Sequence, residues 1–416
     1  MEGLFLVIVI AILVLNLSWY LVSDYWLRSS LPQYPKTRVM TRLALIIWMV
    51  AVFIPIIAMS IPYFATLLTD SLWGWLALFH LWIGTIFFWM IGMGILSVPV
   101  SIYNYFAKKS KANKTGLQVV TAETEIDKDH ALTRRKLLRL ALVAAPPLIV
   151  GGGTLAAAAT RDRLDVYTKD LPVLDLPEDL IGLTITQLSD MHVGTLMGRE
   201  RIEKMVSEAN ALESDIIVVT GDILDRDIRY MPDLLEIIKE LKAPMGVYLC
   251  LGNHDKIYDV DRWEREIRGA ELNLLLNQST IINTGGTPIK LMGIDFTYSD
   301  SENFGFIQEA DEYTSAPNAL RILLAHHPHA FDAAAAMGIP VTLAGHTHGG
   351  QLVLRDPWGN EIFNPGNRLF RYVKGIYRSS RGRTLFVHAG SGDWFPLRMG
   401  VPCEIVQLRL VSEQVI

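Results

Sequence analysis

Four long apolar segments in the first 160 residues constrain the fold of this chain more than any other feature. They lie at residues 4–22, 43–68, 73–102 and 140–159. An α-helix needs about 20 apolar residues to cross a lipid bilayer, and each segment meets or approaches that length. Seven of the ten tryptophans also precede residue 90. We therefore expect residues 1–160 to form an all-α membrane region of four transmembrane helices.

The charges in the connecting loops predict the orientation of these helices. Residues 23–42 carry four basic side chains against one acidic side chain, and residues 104–137 carry eight against four. Basic loops stay on the cytoplasmic side of a membrane, so everything after residue 160 is expected on the extracytoplasmic face. Arg134 and Arg135 also resemble a twin-arginine export signal, an alternative to two further cytoplasmic charges that stays open.

The rest of the sequence alternates short apolar runs with amphipathic segments. Strands are predicted at 183–188, 215–220, 246–251, 272–276, 289–294, 321–325, 341–344, 384–388 and 404–410, and helices at 199–212, 231–241, 259–270 and 330–337. Strands that alternate with helices indicate a layered α/β domain. We place this domain at residues 181–416, after a linker at 161–180. Cys250 and Cys403 lie in apolar runs and are expected to be buried thiols, with one disulfide between them left open.

Five of the predicted strands end in Asp, His or Asn. The polar stretches are 189–194, 221–225, 252–255, 326–329 and 345–351. Because sites in open α/β sheets form at the carboxyl ends of strands, we expect these side chains to converge. A single Gly-Asp or Gly-Asn is ordinary turn chemistry, but five such ends together favour a metal site. Imidazole, carboxylate and amide donors without thiolates suit hard or borderline divalent metals.

These stretches resemble the five sequence blocks of the calcineurin-like metallophosphoesterases. The blocks are Asp-x-His at 190–192, Gly-Asp-x-x-Asp at 221–225, Gly-Asn-His-Asp at 252–255, a histidine directly after a strand at 326, and Gly-His-Thr-His at 345–348. Gly-Gly-Gln at 349–351 and Pro-Leu-Arg at 396–398 are similar to the bacterial branch with signal peptides or membrane anchors. The resemblance covers about residues 180–410 and implies an α/β/β/α metallophosphoesterase sandwich.

The resemblance implies a centre of two divalent metal ions, and manganese, iron, zinc and cobalt are all compatible with its donors. Each ion would have three ligands of its own, Asp190, His192 and His348 for one and Asn253, His326 and His346 for the other. Asp222 would bridge the two ions, about 3.5–4 Å apart.

The resemblance also implies how a phosphoester would be cleaved. A hydroxide that bridges both metals would attack phosphorus in line, and His254 would contact the phosphate and protonate the leaving oxygen. Asp225 or Asp255 would orient His254, and the sequence does not choose between them. Arg398 is expected either to bind substrate phosphate or to form a structural ion pair, and His327 either lines the pocket or is a bystander.

The chain is therefore predicted to be a membrane-anchored, metal-dependent phosphoester hydrolase. Resemblance to some members of the family implies a lipid-linked substrate such as UDP-2,3-diacylglucosamine. Phospholipid-like phosphodiesters fit the predicted extracytoplasmic position better. The formal net charge of -5 gives no indication of a nucleic-acid partner. The alternative is a non-catalytic membrane sensor that binds metal or phosphate; the complete ligand set and His254 favour the enzyme.

Overall fold

The structure is a computed structural model that describes residues 2–59, 76–95, 134–225, 227–257 and 259–413. The chain divides into two compact units, Met1–Ala156 and Ala157–Ile416. The division falls within the last helix of the apolar region, close to the boundary at residue 160 that the composition predicts.

The first unit is helical. Its described helices are α1 (Glu2–Ser30), α2 (Pro35–Met59), α3 (Leu76–Ile95) and α4 (Arg134–Arg161), the last of which continues into the second unit. Three stretches are long and apolar enough to cross a membrane: Ile10–Ser30, Leu76–Ile95 and Lys136–Arg161. They overlap the first, third and fourth predicted segments. The second predicted segment, 43–68, begins in α2 and continues past Met59 into residues outside the described part, so three candidate spans are found rather than four.

Two polar side chains of α1 pair with side chains of neighbouring helices. Asn16 of α1 accepts a hydrogen bond from Trp82 Nε1 of α3 at 2.6 Å, and Asp24 of α1 pairs with Arg42 of α2 at 2.6 Å. A polar group in an apolar surrounding is destabilising unless it is hydrogen-bonded. These two contacts therefore join α1 to α2 and α1 to α3 through polar side chains.

Two six-stranded sheets form the centre of the second unit. The first sheet has the order β1-β14-β2-β3-β4-β5 and the second the order β12-β13-β9-β8-β7-β6. The strands of the first are β1 (Leu164–Leu174), β2 (Thr184–Leu188), β3 (Ile216–Thr220), β4 (Val247–Cys250), β5 (Asn273–Leu274) and β14 (Cys403–Glu413). Those of the second are β6 (Gln278–Ile282), β7 (Ile289–Gly293), β8 (Leu320–Leu324), β9 (Val341–Ala344), β12 (Gly375–Arg378) and β13 (Thr384–Val387). A separate hairpin joins β10 (Leu354–Arg355) to β11 (Glu361–Phe363).

Helices cover the outer faces of both sheets. They are α5 (Arg199–Ala211), α6 (Met231–Ile238), α7 (Val260–Gly269), α8 (Asp300–Tyr313) and α9 (Ala330–Ala336). The short α10 (Gly366–Leu369) instead contacts the turn at His348–Gly350. In β3, Ile216 and Val218 pack between the two sheets, while Ile217 and Val219 pack under α5, α6 and α7. Successive side chains of a strand point to opposite faces, so one continuous apolar run supplies two cores. The unit is therefore the predicted α/β/β/α sandwich.

The expected linker at 161–180 is instead largely part of the first sheet. All eleven residues of β1 pair in parallel with β14, from Leu164 opposite Cys403 to Leu174 opposite Glu413. The sequence concealed this strand because polar residues interrupt it and only Leu171 and Val173 are buried. Edge strands often show such weak patterns, since one side of the strand lacks a neighbour.

Candidate metal centre

The polar stretches that follow β2, β3, β4, β8 and β9 meet at one edge of the two sheets. Five of the side chains predicted to bind metal stand on left-handed backbone, with φ between 49° and 70°; they are Asp190, His192, Asp222, His346 and His348. A side chain other than glycine is disfavoured there, and such positions concentrate at functional sites. The same region also requires a glycine at position 252, because a Cβ there would lie 2.2 Å from the Asp222 carboxylate.

The first cluster contains Asp190, His192 and His348. The Nε2 atoms of the two histidines lie 3.1 Å apart, and His348 Nε2 lies 3.3 Å from Asp190 Oδ1. One ligand atom of each residue falls within 4.8 Å of the others. All three residues are buried, so their donors face one another rather than solvent.

The second cluster contains Asp222, His326 and His346, with Asn253 beside them. Asn253 Oδ1 lies 2.9 Å from His346 Nδ1 and 3.1 Å from His326 Nε2. Asp222 Oδ2 lies 3.2 Å from His326 Nε2 and 3.7 Å from His192 Nε2 of the first cluster. Asp222 thus stands between the clusters, where the sequence predicts a bridging ligand.

The protonation of these groups suits cation binding at the first cluster. Burial lowers the pKa of His192 to about 3 and lowers the pKa of His348 well below its ordinary value, so both rings are neutral and carry a free lone pair. Burial acts against charge on Asp222, but His326, His192 and His254 outweigh it and lower the pKa of this carboxyl below its usual range. Neutral imidazoles around carboxylates are the donor set of a divalent metal site.

His326 differs from the other ring ligands. Burial alone would lower its pKa, but Asp222 and Asp190 raise it to about 9. Its Nδ1 donates to Thr220 O at 2.8 Å, which directs Nε2 towards Asn253 and Asp222. A cation at the second cluster would replace the Nε2 proton, as expected for a histidine whose ring is oriented by a backbone carbonyl.

Contacts outside the clusters fix the remaining ligands. Ser189 Oγ donates to Asp190 Oδ2 at 2.6 Å, and the backbone N–H of His346 donates to the same carboxylate at 3.1 Å. The backbone N–H of His254 donates to Asp222 Oδ1 at 2.7 Å. Such outer contacts commonly set ligand orientation in metal sites.

His254 lies beside the first cluster and pairs with Asp225. Its Nδ1 is 2.9 Å from Asp225 Oδ1, and its ring packs edge-on against His192 at 4.6 Å. Asp255 has a different set of contacts, because it accepts hydrogen bonds from the backbone N–H groups of Ile223, Leu224 and Gly252 at 2.9–3.1 Å. Of the two carboxylates that the sequence leaves open, Asp225 contacts His254 and Asp255 braces the loops.

Arg398 is buried and forms an ion pair, one of its two predicted roles. Its guanidinium pairs with Asp393 at 2.6 Å and donates to Gly392 O at 2.8 Å. Nη2 also lies 2.9 Å from His348 Nδ1. Arg398 therefore holds the ring of this predicted metal ligand by the nitrogen that does not face the first cluster. A guanidinium with these contacts has little capacity left for a substrate phosphate.

The other histidines near the strand ends lie outside both clusters. His327 packs against His329, with their Nδ1 atoms 3.2 Å apart, and His388 is buried with Nδ1 accepting from Gly390 N at 2.9 Å. Asp332 pairs with Arg371 at 3.0 Å. Cys250 and Cys403 are free, buried thiols, as expected, and the disulfide alternative is wrong.

Aromatic side chains beside the centre had no signal in the sequence. Phe296, Tyr298 and Phe370 lie with ring centroids 5.4–6.1 Å from His346, and Trp394 lies 6.0 Å from His254. They come from loops far apart in the chain, so no local motif connects them. They give the centre an apolar wall at either end.

Comparisons of the sequence with known proteins find a family and relatives for the second unit. Residues 183–350 match the family model described as calcineurin-like phosphoesterase. The chain is 31% identical over 259 residues to a putative metallophosphoesterase of Caenorhabditis elegans, covering 59% of this chain and 52% of the relative. It is 30% identical over 283 residues to the transmembrane protein with metallophosphoesterase domain of Danio rerio, covering 65% of this chain and 62% of the relative.

Among solved structures, the protein TT1561 of Thermus thermophilus matches with a TM-score of 0.36 and 16% identity, covering 51% of this chain and 90% of that one. The sequence match covers only 52% and 62% of the length of the two relatives. It therefore describes the domain and not the whole protein. This chain carries a calcineurin-like metallophosphoesterase domain.

Proposed function

We propose that this protein is a membrane-anchored phosphoesterase that works with two divalent metal ions. The observation that carries the proposal is the meeting of two donor clusters at Asp222, at the edge where the carboxyl ends of five strands converge. Asp190, His192 and His348 would hold one ion, and Asn253, His326 and His346 the other. When bound, the ions would act as Lewis acids towards the phosphate oxygens.

His254 is the group we assign to proton transfer. Asp225 accepts from Nδ1 of this ring, so the carboxylate holds the imidazole in place beside the first cluster. Hydrolysis adds water across the P–O bond, and the departing oxygen needs a proton unless it is already a stable anion. A histidine held by a carboxylate can supply that proton, and general acid catalysis of this kind contributes about 10²–10⁴-fold.

The membrane region suggests the class of substrate. We propose four transmembrane helices, with the phosphoesterase domain on the extracytoplasmic face, from the positive charge of residues 23–42 and 104–137. A phospholipid-like phosphoester fits this orientation, whereas a nucleotide-linked lipid such as UDP-2,3-diacylglucosamine would require the domain to face the cytoplasm. A reporter that is active only outside the cytoplasm, fused after Ile416, should be active, and inactivity would reverse the orientation.

The activity itself is tested with the full chain purified in detergent and loaded with manganese. We expect hydrolysis of bis-p-nitrophenyl phosphate, and we expect Asp222→Asn to lower kcat/KM by on the order of 100-fold or more, since even outer-sphere partners of a metal cost 10–100-fold. His329→Gln is the matched control, because this histidine lies outside both clusters and should leave the rate unchanged. If the metal-loaded wild type cleaved no phosphoester, the enzyme proposal would fail and a metal- or phosphate-binding sensor would replace it.

A further inference from the structure

Exposed apolar side chains are concentrated in residues 354–369, directly after the loop at residues 345–351 that carries His346 and His348. We call this group the apolar hairpin surface, and it consists of Leu354, Trp358, Ile362, Phe363 and Leu369. Trp358 is 84% exposed, Ile362 68% and Leu369 72%. Every residue of the two short strands β10 and β11 is exposed, so the described part of the chain places no core against either face of this hairpin.

The concentration of these side chains is unusual for the domain. The other large apolar side chains exposed on its described surface are spread from residue 181 to residue 394; they are Ile181, Ile257, Ile281, Tyr298, Phe304, Tyr313 and Trp394. Single exposed apolar residues are normal on a soluble surface, but a concentration of them marks a site of contact. A tryptophan at the tip of a hairpin is also the side chain that prefers the interface between lipid and water.

Hydrogen bonds fix the chain on both sides of the hairpin, and on the outgoing side they reach the loop at residues 345–351. On the incoming side, Gln351 Nε2 donates to Phe395 O at 3.1 Å and to Leu397 O at 2.9 Å. On the outgoing side, Asn364 Nδ2 donates to Gly349 O at 3.2 Å. A Cβ on Gly350 would lie 1.8 Å from Asn364 Oδ1, so the glycine makes room for this contact.

An aromatic side chain connects the hairpin to the second cluster. Phe370 follows Leu369 directly, and its ring lies 5.4 Å from His346 and 6.3 Å from His327. Within two residues the chain therefore passes from an exposed leucine to the wall of the metal centre. A partner that binds the apolar hairpin surface would therefore be close in the chain to the wall of the second cluster, where a substrate would bind.

We propose that the apolar hairpin surface inserts into the headgroup region of a lipid bilayer, and that the site draws an amphiphilic phosphoester from that bilayer. This inference rests on the proposed function for its substrate, and the insertion rests on the exposed surface together with the proposed membrane position of α4. If α4 spans the membrane, as proposed above, the domain stays next to that membrane, because only Asp162 and Arg163 separate α4 from β1. An apolar surface on such a tethered domain meets lipid at a high local concentration.

Insertion is tested on the full chain in vesicles of phosphatidylcholine and phosphatidylglycerol, without any need for catalysis. Trp358→Cys carries an environment-sensitive fluorophore, and the native thiols do not compete because Cys250 and Cys403 are 0% and 1% exposed. The matched control is Phe304→Cys, an exposed position on α8. We expect lipids with a nitroxide on the acyl chain to quench the fluorophore at 358 at least about twofold more than the one at 304.

Equal quenching at the two positions would overturn the inference. A second result would also overturn it: the fluorophore at 358 is as shielded from water in detergent as in vesicles, and copies of the chain cross-link to one another. The surface would then bind a second copy of the chain instead of lipid.

A second measurement concerns the substrate. The double variant Trp358→Ser/Ile362→Ser should hydrolyse soluble bis-p-nitrophenyl phosphate at a rate within about twofold of wild type. Its rate on a phospholipid phosphoester embedded in vesicles should fall about tenfold. Phe304→Ser should change neither rate. An equal loss on both substrates, or on neither, would contradict bilayer access through this surface. An inactive wild type would refute the proposed function and leave the fluorescence result valid.

Discussion

At the scale of residues, two carboxylates that follow different strands, Asp225 after β3 and Asp255 after β4, have different surroundings. Asp225 contacts the His254 ring, whereas Asp255 is buried and accepts three backbone N–H groups, and burial raises the pKa of its carboxyl to about 7. Sequence spacing alone could not separate the two, because both lie within a few residues of a glycine turn. Their hydrogen bonds separate them, so Asp225 belongs with the proton donor and Asp255 with the fold of the loops.

The His254 assignment predicts a dependence on the leaving group. His254→Gln should lower kcat on an alkyl phosphodiester by on the order of 100-fold, since an alkoxide needs a proton as it departs. The same change should have a much smaller effect on a p-nitrophenyl ester, whose leaving group is stable as an anion. The measurement is kcat for both substrates in His254→Gln and in Asp225→Asn, which should show the same pattern more weakly. An equal loss on both substrates would assign His254 to binding rather than to proton transfer.

At the scale of elements, the strands with continuous apolar runs were predictable and the irregular ones were not. The segments 183–188, 215–220 and 341–344 correspond within one residue to β2, β3 and β9, because strands buried on both faces contain few polar residues. Helix α8 was missed, since only Asn303, Ile307 and Ala310 of its fourteen residues are buried. The hairpin of β10 and β11 was missed as well, because it packs on no core and leaves no alternating pattern.

Strand β1 gives a prediction at this scale. Leu171 is fully buried between the sheets, while Lys169 of the same strand is exposed. Replacing a buried leucine with alanine destabilises a protein by about 2–5 kcal/mol, so Leu171→Ala should lower the Tm of the domain by at least about 4 °C. Lys169→Ala is the control and should leave Tm nearly unchanged. Thermal unfolding of the full chain in detergent provides the measurement. If wild type and Leu171→Ala had the same Tm, residues 164–174 would be a linker rather than a strand of the first sheet.

At the scale of the whole molecule, the chain joins apolar helices to a sandwich that carries two donor clusters. The sequence predicted both halves, because a bilayer and a metal centre each impose strong patterns on short stretches. It could not predict the apolar hairpin surface or the aromatic wall of Phe296, Tyr298 and Phe370, because these depend on loops that meet only in the folded domain. The aromatic wall lies beside His346, and its Phe370 directly follows Leu369 of the apolar hairpin surface. The chain therefore connects both features to the candidate metal centre.

The metal content of the purified chain therefore tests the account most directly. After saturation with manganese and removal of excess metal, elemental analysis should find two ions for each wild-type chain. His348→Gln and His346→Gln should each lose about one ion, since they belong to different clusters. His329→Gln should keep both. A wild type that holds no ion, or ligand variants that hold as many ions as the wild type, would contradict a two-metal centre at Asp222.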